Sequence, residues 1–365
     1  MNTNSFAYYR LPFAQEYHYI SQPGSAHRLD SYAQLGSVQG FVFAPFSIDQ
    51  DCPLVVIEGE ARSESLPPTA PHGTMRDEAC PHGTVRDEGL GMSVNRSYAI
   101  DFANFHSRLT TGEFSKIVLA RRETLHTGCS YDEASAKALF FSACQSYPRM
   151  FIALVSTPQT GTWLMATPEP LLEKTAEGYH TVALAGTQHM GNGDWDEKQV
   201  AWNEKNIMEQ RYVATYITKC LEQFSDQMSI EGPHTVRAGA LAHLRTDFRF
   251  TLADDNRMGE LIAALHPTPA VCGLPKEAAR QFILQNESAP RRYYSGFTGP
   301  LALGGDTHLY VTLRCMELCE GECVLYAGGG LLPDSQMEQE WDETVAKMGT
   351  MRLLIHVSQA LLAGS

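Results

Sequence analysis

The segment MFIALVSTPQTGTWLMAT (residues 150–167) decides the fold class. Its two apolar runs, MFIALVS and TWLMAT, flank a short polar turn and are typical of the two strands of a β-hairpin. Strands that are adjacent in sequence and joined by short turns predict antiparallel sheets, which carry helices on their outer faces.

The same mixture of elements continues on both sides of this hairpin. Further strands are predicted at 41–46, 53–59, 116–121 and 246–252, with another hairpin at 308–327. Helices are predicted at 94–109, 130–144, 196–223, 255–265, 275–286 and 335–362. Ser130 and Glu133 have the spacing of a capping box for the second helix. No Pro/Gly/Ser-rich linker divides 98–365, so an α+β fold with one interlocked domain is predicted.

One segment lacks any apolar period. Residues 71–90 contain a near-duplicate, PHGTMRDEAC followed by PHGTVRDEGL. Polar sequence punctuated by Gly and Pro predicts a mobile loop insertion, because loops tolerate extra residues at small entropic cost.

Composition excludes several classes of protein. The 365 residues are 43% hydrophobic and 19% charged, as in a globular protein, and the net charge of −14 disfavours nucleic acid and anionic lipid as partners. No apolar stretch approaches the ~18 residues that span a bilayer, so no membrane segment is expected. The first residues lack the pattern of a secretory or transit peptide, and nine scattered cysteines suit reduced thiols, so a cytoplasmic location is expected.

Glu209 heads an apolar stripe in the predicted helix 196–223, together with Val213, Tyr216 and Cys220. A carboxylate there must lie near the solvent end of the stripe, be protonated, or bind a cation, because unpaired burial costs several kcal/mol. The spacing favours the solvent end.

Glu340, Glu343 and Lys347 share one face of the last predicted helix. A surface Glu343–Lys347 pair at i, i+4 explains the spacing by itself. If Glu209 and Glu343 met in space, however, the two carboxylates could bind Mg²⁺. Sequence spacing leaves both interpretations open.

Lys116 alternates with Val118 and Ala120 along one face of its predicted strand. Such a lysine is either an edge residue whose ammonium reaches water or a buried amine that could act as a base. The glycines at 328–330 belong to neither a P-loop nor a dinucleotide fingerprint, which leaves a structural turn or a backbone cradle for an anion.

Ten motifs, in order, resemble the chorismate-utilising enzymes, which include isochorismate and salicylate synthases and the large subunits of anthranilate and aminodeoxychorismate synthases. They are KIVLAR (116–121), ATPE (166–169), ALAGT (183–187), KNIMEQ (205–210), HLRT (243–246), HPTPAVCGLP (266–275), YSGFTG (294–299), LRC (313–315), AGGG (327–330) and EWDETVAK (340–347). The resemblance covers 98–357, which becomes the chorismate-binding catalytic region. Residues 1–97 are then a β-rich part of the same fold, and 358–365 a C-terminal tail.

The resemblance implies two large antiparallel sheets with the site between the halves, and it implies roles for individual residues. Lys116 would be the base that activates water for attack at C2 of chorismate, and Glu169 the acid that protonates the departing C4 hydroxyl. Glu209 and Glu343 match the ligands of a Mg²⁺ cofactor, with Glu340 contributing through water. The implied substrate-binding residues are Gly186, His243, Tyr294, Arg314, Gly328 and Lys347.

The motif HPTPA (266–270) is most similar to the isochorismate synthase branch, and Lys116 agrees with it. Met165, Pro170 and Gln188 depart from the family pattern and put fine substrate contacts in question. The expected protein is therefore a Mg²⁺-dependent isochorismate synthase, monomeric and without a glutaminase subunit. Salicylate synthase, aminodeoxychorismate synthase and a non-catalytic chorismate-binding protein remain alternatives, and both menaquinone and siderophore biosynthesis remain open as the pathway.

Overall fold

The computed structural model describes residues 4–67, 94–191 and 195–363, with the side chains of 356–363 left out. The duplicated segment 71–90, predicted as a mobile loop, lies outside these ranges. None of the helices in the described ranges has the length and apolar character needed to span a bilayer.

Runs of strands and single helices make up the described chain. The strands are β1 (Asn4–Arg10), β2 (Glu16–Pro23), β3 (His27–Leu29), β4 (Gly40–Ala44), β5 (Leu54–Ile57), β6 (Arg62–Ser65), β7 (Lys116–His126), β8 (Phe151–Thr157), β9 (Gly161–Thr167), β10 (Pro170–Thr175), β11 (Gly178–His189), β12 (Met228–Ala238), β13 (Leu241–Phe250), β14 (Gly273–Leu274), β15 (Phe297–Leu301), β16 (Thr307–Val311), β17 (Cys315–Cys319) and β18 (Glu322–Leu331). The α-helices are α1 (Arg96–Thr110), α2 (Glu133–Ser146), α3 (Glu204–Leu221), α4 (Met258–Leu265), α5 (Lys276–Asn286) and α6 (Met337–Ala363).

The described strands form two sheets whose neighbouring strands are antiparallel. Sheet 1 has the order β14-β7-β18-β17-β9-β8-β1-β2-β6, and sheet 2 has the order β12-β13-β11-β10-β16-β15-β4-β5-β3. Strands β1 and β2 extend sheet 1, and β4 and β5 extend sheet 2, so residues 4–67 are part of the same fold. The predicted α+β class with two large antiparallel sheets is confirmed.

Both faces of the central strands are buried, as β8 illustrates. Phe151 and Val155 point into the core between the sheets, where the Phe151 ring stacks on Tyr310 of sheet 2 at 4.4 Å between centroids. Ile152 and Leu154 point to the opposite face and pack under α2 and α6. The period of two in the strand therefore separates two hydrophobic cores.

The helices cover the outer faces, as predicted. Helices α2 and α6 pack on sheet 1, for example through Phe140 and Met348. Helices α3 and α4 pack on sheet 2 through residues such as Val213 and Leu261. Helices α1 and α5 cover the end of sheet 1 that contains β7.

Several predicted boundaries were wrong. The N-cap of α2 is Asp132, whose carboxylate accepts a hydrogen bond from the backbone of Ser135 at 2.8 Å, so Ser130 does not cap this helix. The helical pattern at 196–223 splits into a short 3-10 turn, Glu197–Gln199, and α3. Strand β12 was missed because most of it is solvent-exposed and polar, which removes the apolar alternation that marks a strand.

The hairpin predicted at 308–327 also divides. Strand β16 belongs to sheet 2, while β17 and β18 form the actual hairpin in sheet 1. The chain crosses between sheets at residues 312–314, a change of partner that a sequence pattern does not reveal.

Candidate active site

Two neighbouring crossovers between the sheets position the first pair of predicted site residues. Glu169 lies between β9 of sheet 1 and β10 of sheet 2, and Arg314 lies between β16 of sheet 2 and β17 of sheet 1. Backbone hydrogen bonds join the two crossovers, from Val311 N–H to the Glu169 carbonyl at 2.9 Å and from Ala166 N–H to the Arg314 carbonyl at 3.1 Å. Arg314 has φ of +46°, a strained value for a residue with a side chain.

Most of the site residues that the sequence predicted line a single cavity. Its wall includes Glu169, Gly186, Glu209, His243, Tyr294, Arg314, Gly328 and Lys347. Ala270 and Val271 add an apolar wall. Lys116 contacts this cavity through Glu209, and Glu340 and Glu343 approach it beside Gly329, so all the predicted site residues lie close together.

Lys116 is fully buried, and its Nζ lies 3.0 Å from Glu209 Oε1. The exposed edge position is therefore excluded for this lysine. Glu209 is likewise buried, so its predicted place at the solvent end of a helical stripe was wrong. Burial opposes ionisation of Glu209, but Lys116, Lys205 and Lys347 outweigh it and lower its pKa.

The remaining two carboxylates are also paired with lysines. Lys347 Nζ lies 2.6 Å from Glu343 Oε1 and donates a hydrogen bond to the Gly328 carbonyl at 2.8 Å. The Lys347 and Glu343 side chains are only 16% and 21% exposed, so this pair is not the surface pair that could by itself explain the spacing. Lys205 pairs with the buried Glu340. Sequence analysis did not single out Lys205, although it opens the KNIMEQ motif.

The three glycines at 328–330 lie inside β18 and pair with β7, so they are not a turn. A Cβ on Gly330 would lie 2.1 Å from Glu209 Oε1, and one on Gly329 would lie 3.1 Å from Glu340 Oε2. The strand therefore needs glycine here because the carboxylates fill the space of a side chain.

The carboxylate cluster meets part of the requirements of a metal site. The described residues contain no preassembled group of three acidic, His or Cys side chains in metal-binding geometry. Glu340 Oε2, however, is buried without a hydrogen-bond partner among them, and burial together with Glu343 raises the pKa of Glu340. Oxygen ligands are what Mg²⁺ and Ca²⁺ prefer, so Glu209 and Glu343, with Glu340 beside them, are the residues that could hold such a cation.

The carboxyl group of Glu169 holds its proton, as a general acid must. Its carboxyl group is buried, and burial raises the pKa to about 8 against the opposing charges of Lys116, Lys347 and Arg314. The group is therefore mainly protonated at neutral pH and can donate a proton inside the cavity.

Arg314 is held by a neutral histidine. His243 Nδ1 lies 2.9 Å from the Gly186 carbonyl, and its Nε2 lies 2.8 Å from Arg314 Nη2. Since a carbonyl only accepts, Nδ1 carries the hydrogen and Nε2 accepts from the guanidinium. Burial and the nearby Arg314 and Lys347 charges lower the pKa of His243 well below its usual value. Arg314 Nη1 is buried without a hydrogen-bond partner among the described residues, so this group can bind an anion.

Tyr294 forms another part of the wall, with its ring stacked on Tyr326 at 6.0 Å between centroids. Tyr326 was not predicted as a site residue, yet it lines the cavity and its buried hydroxyl lacks a partner among the described residues. The alternation of Val324 and Tyr326 along β18 was the available signal, but it does not distinguish a cavity wall from a core.

Comparison with known proteins agrees with this geometry. The sequence model of the chorismate binding enzyme family matches residues 92–356. The isochorismate synthase DhbC of Bacillus subtilis is 34% identical over 67% of this chain and 64% of its own length. The salicylate biosynthesis isochorismate synthase of Pseudomonas aeruginosa is 33% identical over 67% of this chain and 52% of its own length. The matches thus span less than two thirds of either relative.

A solved structure extends the similarity of fold to nearly the whole chain. MenF, the menaquinone-specific isochorismate synthase from Escherichia coli, superposes with a TM-score of 0.73 at 22% identity, covering 96% of this chain and 88% of that chain. The family model includes the helices and most of the strands that build the cavity. The chain therefore belongs to the family of chorismate-binding enzymes.

Proposed function

We propose that this protein is a Mg²⁺-dependent isochorismate synthase, which interconverts chorismate and isochorismate. The observation that carries the proposal is one cavity lined by a protonated carboxyl group, Glu169, and an anion-binding guanidinium, Arg314, with the buried Lys116 in contact with Glu209 of its wall. Relatives that are named isochorismate synthases support the same activity.

The exchange of hydroxyl groups needs a base and an acid. Lys116, in the neutral amine form that a base requires, takes a proton from the water that attacks C2 of chorismate, and Glu169 gives a proton to the C4 hydroxyl as it leaves. The raised pKa of Glu169 supports its role, because an ionised carboxylate has no proton to give.

Chorismate has two carboxylates, and the cavity offers cations for both. Arg314 Nη1 binds the enolpyruvyl carboxylate, while His243 fixes the other nitrogen of the guanidinium. Lys347 binds the ring carboxylate beside Gly328. Gly186 and Tyr294 complete the wall around the substrate.

Magnesium, when bound, supplies positive charge next to the ring carboxylate. Glu209 and Glu343 would hold it, and Glu340 would contribute through water. The buried oxygen of Glu340 that lacks a partner among the described residues is the observation behind this assignment. We also propose that the chain works alone, since water needs no glutaminase subunit, and that it acts in the cytoplasm.

The test is incubation of the purified chain with chorismate and Mg²⁺, followed by chromatography and a pyruvate assay on the same sample. We expect a mixture of chorismate and isochorismate without added ammonium, and no turnover in excess chelator. Ala270 and Val271 give an apolar wall that does not orient isochorismate for pyruvate loss. Stoichiometric pyruvate with salicylate would make the protein a salicylate synthase, and turnover only with ammonium an aminodeoxychorismate synthase. Binding without turnover would make it a non-catalytic chorismate-binding protein.

A further inference from the structure

Glu287 and Arg291, which follow α5, form a buried ion pair beside the catalytic cavity. Their side chains are only 4% and 3% exposed. Arg291 Nε lies 2.7 Å from Glu287 Oε2 and its Nη2 lies 2.6 Å from Oε1, so the guanidinium and the carboxylate meet as two forks. The Asp101 carboxylate of α1 fixes this segment by accepting hydrogen bonds from the Ser288 backbone at 3.0 Å and from the Ser288 hydroxyl at 2.6 Å.

The ion pair lies at the edge of β7, just beyond the point where the neighbouring strand ends. Strand β14, which borders β7 on this edge, is two residues long, and its pairing ends at Ile117. Further along the same edge, the Val118 carbonyl accepts a hydrogen bond from Arg291 Nη2 at 2.8 Å. Ala120 N–H then donates one to Glu287 Oε1 at 2.7 Å. Buried backbone groups need partners, so the two side chains take the place of a strand.

Arg291 also contacts other parts of the wall of the catalytic cavity. Its Nη1 donates a hydrogen bond to the Val271 carbonyl at 2.6 Å, and its own carbonyl accepts one from Tyr294 N–H at 2.9 Å. Val118, Val271 and Tyr294 all line the cavity. Lys116, the proposed base, lies two residues before Val118 on the same face of β7. Arg291 therefore connects the strand of the base to the apolar wall and to the turn before β15.

We propose that the Glu287–Arg291 pair is a positioning device for the catalytic cavity, which sets the distance between the strand of the base and the apolar wall. This inference rests on the proposed function. A guanidinium suits the task because its planar fork bonds a carboxylate and two carbonyls at once, whereas a lysine ammonium is a flexible point charge. A displacement of about 1 Å at a catalytic site can lower the rate by about a hundredfold.

Arg291→Lys tests the positioning role, because lysine keeps the charge opposite Glu287 and the chain should still fold. We expect kcat to fall by about tenfold to a hundredfold at saturating chorismate and Mg²⁺, while the KM for chorismate rises by only about threefold. A purely structural role would lower the folded fraction and leave both constants of the folded chains unchanged. Circular dichroism measures the folded fraction, and kcat is expressed per folded chain.

The matched control is Arg292→Lys. This neighbouring arginine pairs with Glu317, which lies outside the wall of the catalytic cavity. The kcat of the control should stay within about twofold of wild type. A wild-type kcat in Arg291→Lys, or equal losses in Arg291→Lys and Arg292→Lys, would overturn the positioning role.

A double variant, Glu287→Leu with Arg291→Leu, removes the pair without leaving a buried charge. The Ala120 N–H then loses its acceptor, so its hydrogen exchange should become faster by about tenfold or more. The Leu119 N–H, on the edge that pairs with β18, should change less. The loss of kcat should at least equal that of Arg291→Lys. Unchanged exchange at Ala120 would overturn the role of the pair at the edge of β7.

Hydrogen exchange does not depend on turnover, so this inference can fail separately from the proposed function. A wild-type chain that binds chorismate without making isochorismate would refute the synthase activity. The pair would then be judged by exchange at Ala120 and by the Kd for chorismate, which Arg291→Lys should raise by about threefold and Arg292→Lys should not change. An unchanged Kd in Arg291→Lys would overturn the inference in that case. Absence of chorismate binding by the wild type would overturn both proposals.

Discussion

The acidic and basic halves of the catalytic cavity balance their charges in different ways. In the acidic half, Glu209, Glu340 and Glu343 each have a lysine partner. In the basic half, Arg314 is held by His243, a neutral group, and one of its nitrogens has no partner among the described residues.

Because of this difference, one half should contribute mainly to the stability of the fold and the other mainly to substrate binding. Buried ion pairs that lose one partner leave an uncompensated charge, which is costly. The acidic half should therefore contribute to the stability of the fold, in addition to any metal that it binds. An arginine without a compensating anion stabilises the fold little, but it is prepared for a carboxylate. The basic half should therefore matter mainly for the substrate.

The largest expected effect concerns the proton-transfer pair, which spans the two halves. Lys116→Ala and Glu169→Ala should each lower kcat by ~10²–10⁴-fold, the usual contribution of general acid–base catalysis. Calorimetry should show that chorismate still binds. The control is Lys219→Ala, which removes an exposed lysine of α3. A kcat within about threefold of wild type in either site variant would reject the role of that residue.

The different contributions of the two halves to stability are tested by unfolding in the absence of metal. Glu209→Gln leaves Lys116 buried without its charged partner, so the free energy of unfolding should fall by about 3–5 kcal/mol. Arg314→Gln removes a buried charge together with its one hydrogen bond to His243, so the loss should stay below about 1.5 kcal/mol. Chemical denaturation measures both. Similar losses in the two variants would mean that the halves do not differ in this way.

Much of the fold was predictable because period-two patterns recur locally. The hairpin at 150–167 and the strand at 116–121 were placed correctly, since their apolar residues contact cores on both faces. Strand β12 was not, because an exposed polar strand has no such pattern. The crossover at Arg314 was also missed, because the choice between two sheets depends on tertiary packing.

The site residues were identified through ordered motifs. The ion pairs that they form with one another were not predicted. Lys205 and Glu340 are 135 positions apart in the chain, and no spacing rule connects residues at that distance. The burial of Lys116 was similarly undetermined, because exposed and buried lysines occur in the same strand pattern. Only the packing of α3 on β11 and of α6 on β18, which brings Glu209 to Lys116 and Lys205 to Glu340, decides these partners.

A smaller effect should reveal how the basic half is positioned. His243→Ala removes the acceptor of the Arg314 hydrogen bond, so the KM for chorismate should rise about tenfold, with a smaller change in kcat. His243→Gln offers a side-chain oxygen in its place and should recover part of this loss. Steady-state kinetics separates the two parameters. Equal KM values for the Ala and Gln variants would contradict the positioning role.

The smallest expected effect is a pH dependence that connects the two halves. Glu169 acts as an acid only when protonated, and its pKa of about 8 means that activity is lost as the pH rises through that value. From pH 7 to pH 8 the protonated fraction falls from about nine tenths to about one half, so kcat/KM should fall by a little less than twofold. Lys116, Lys347 and Arg314 hold this pKa down against the effect of burial. Arg314→Gln removes one of these charges and should move the alkaline limb of the kcat/KM profile to higher pH, whereas Lys219→Ala should not. An alkaline limb at the same pH in Arg314→Gln and wild type would show that the basic half does not act on the acid.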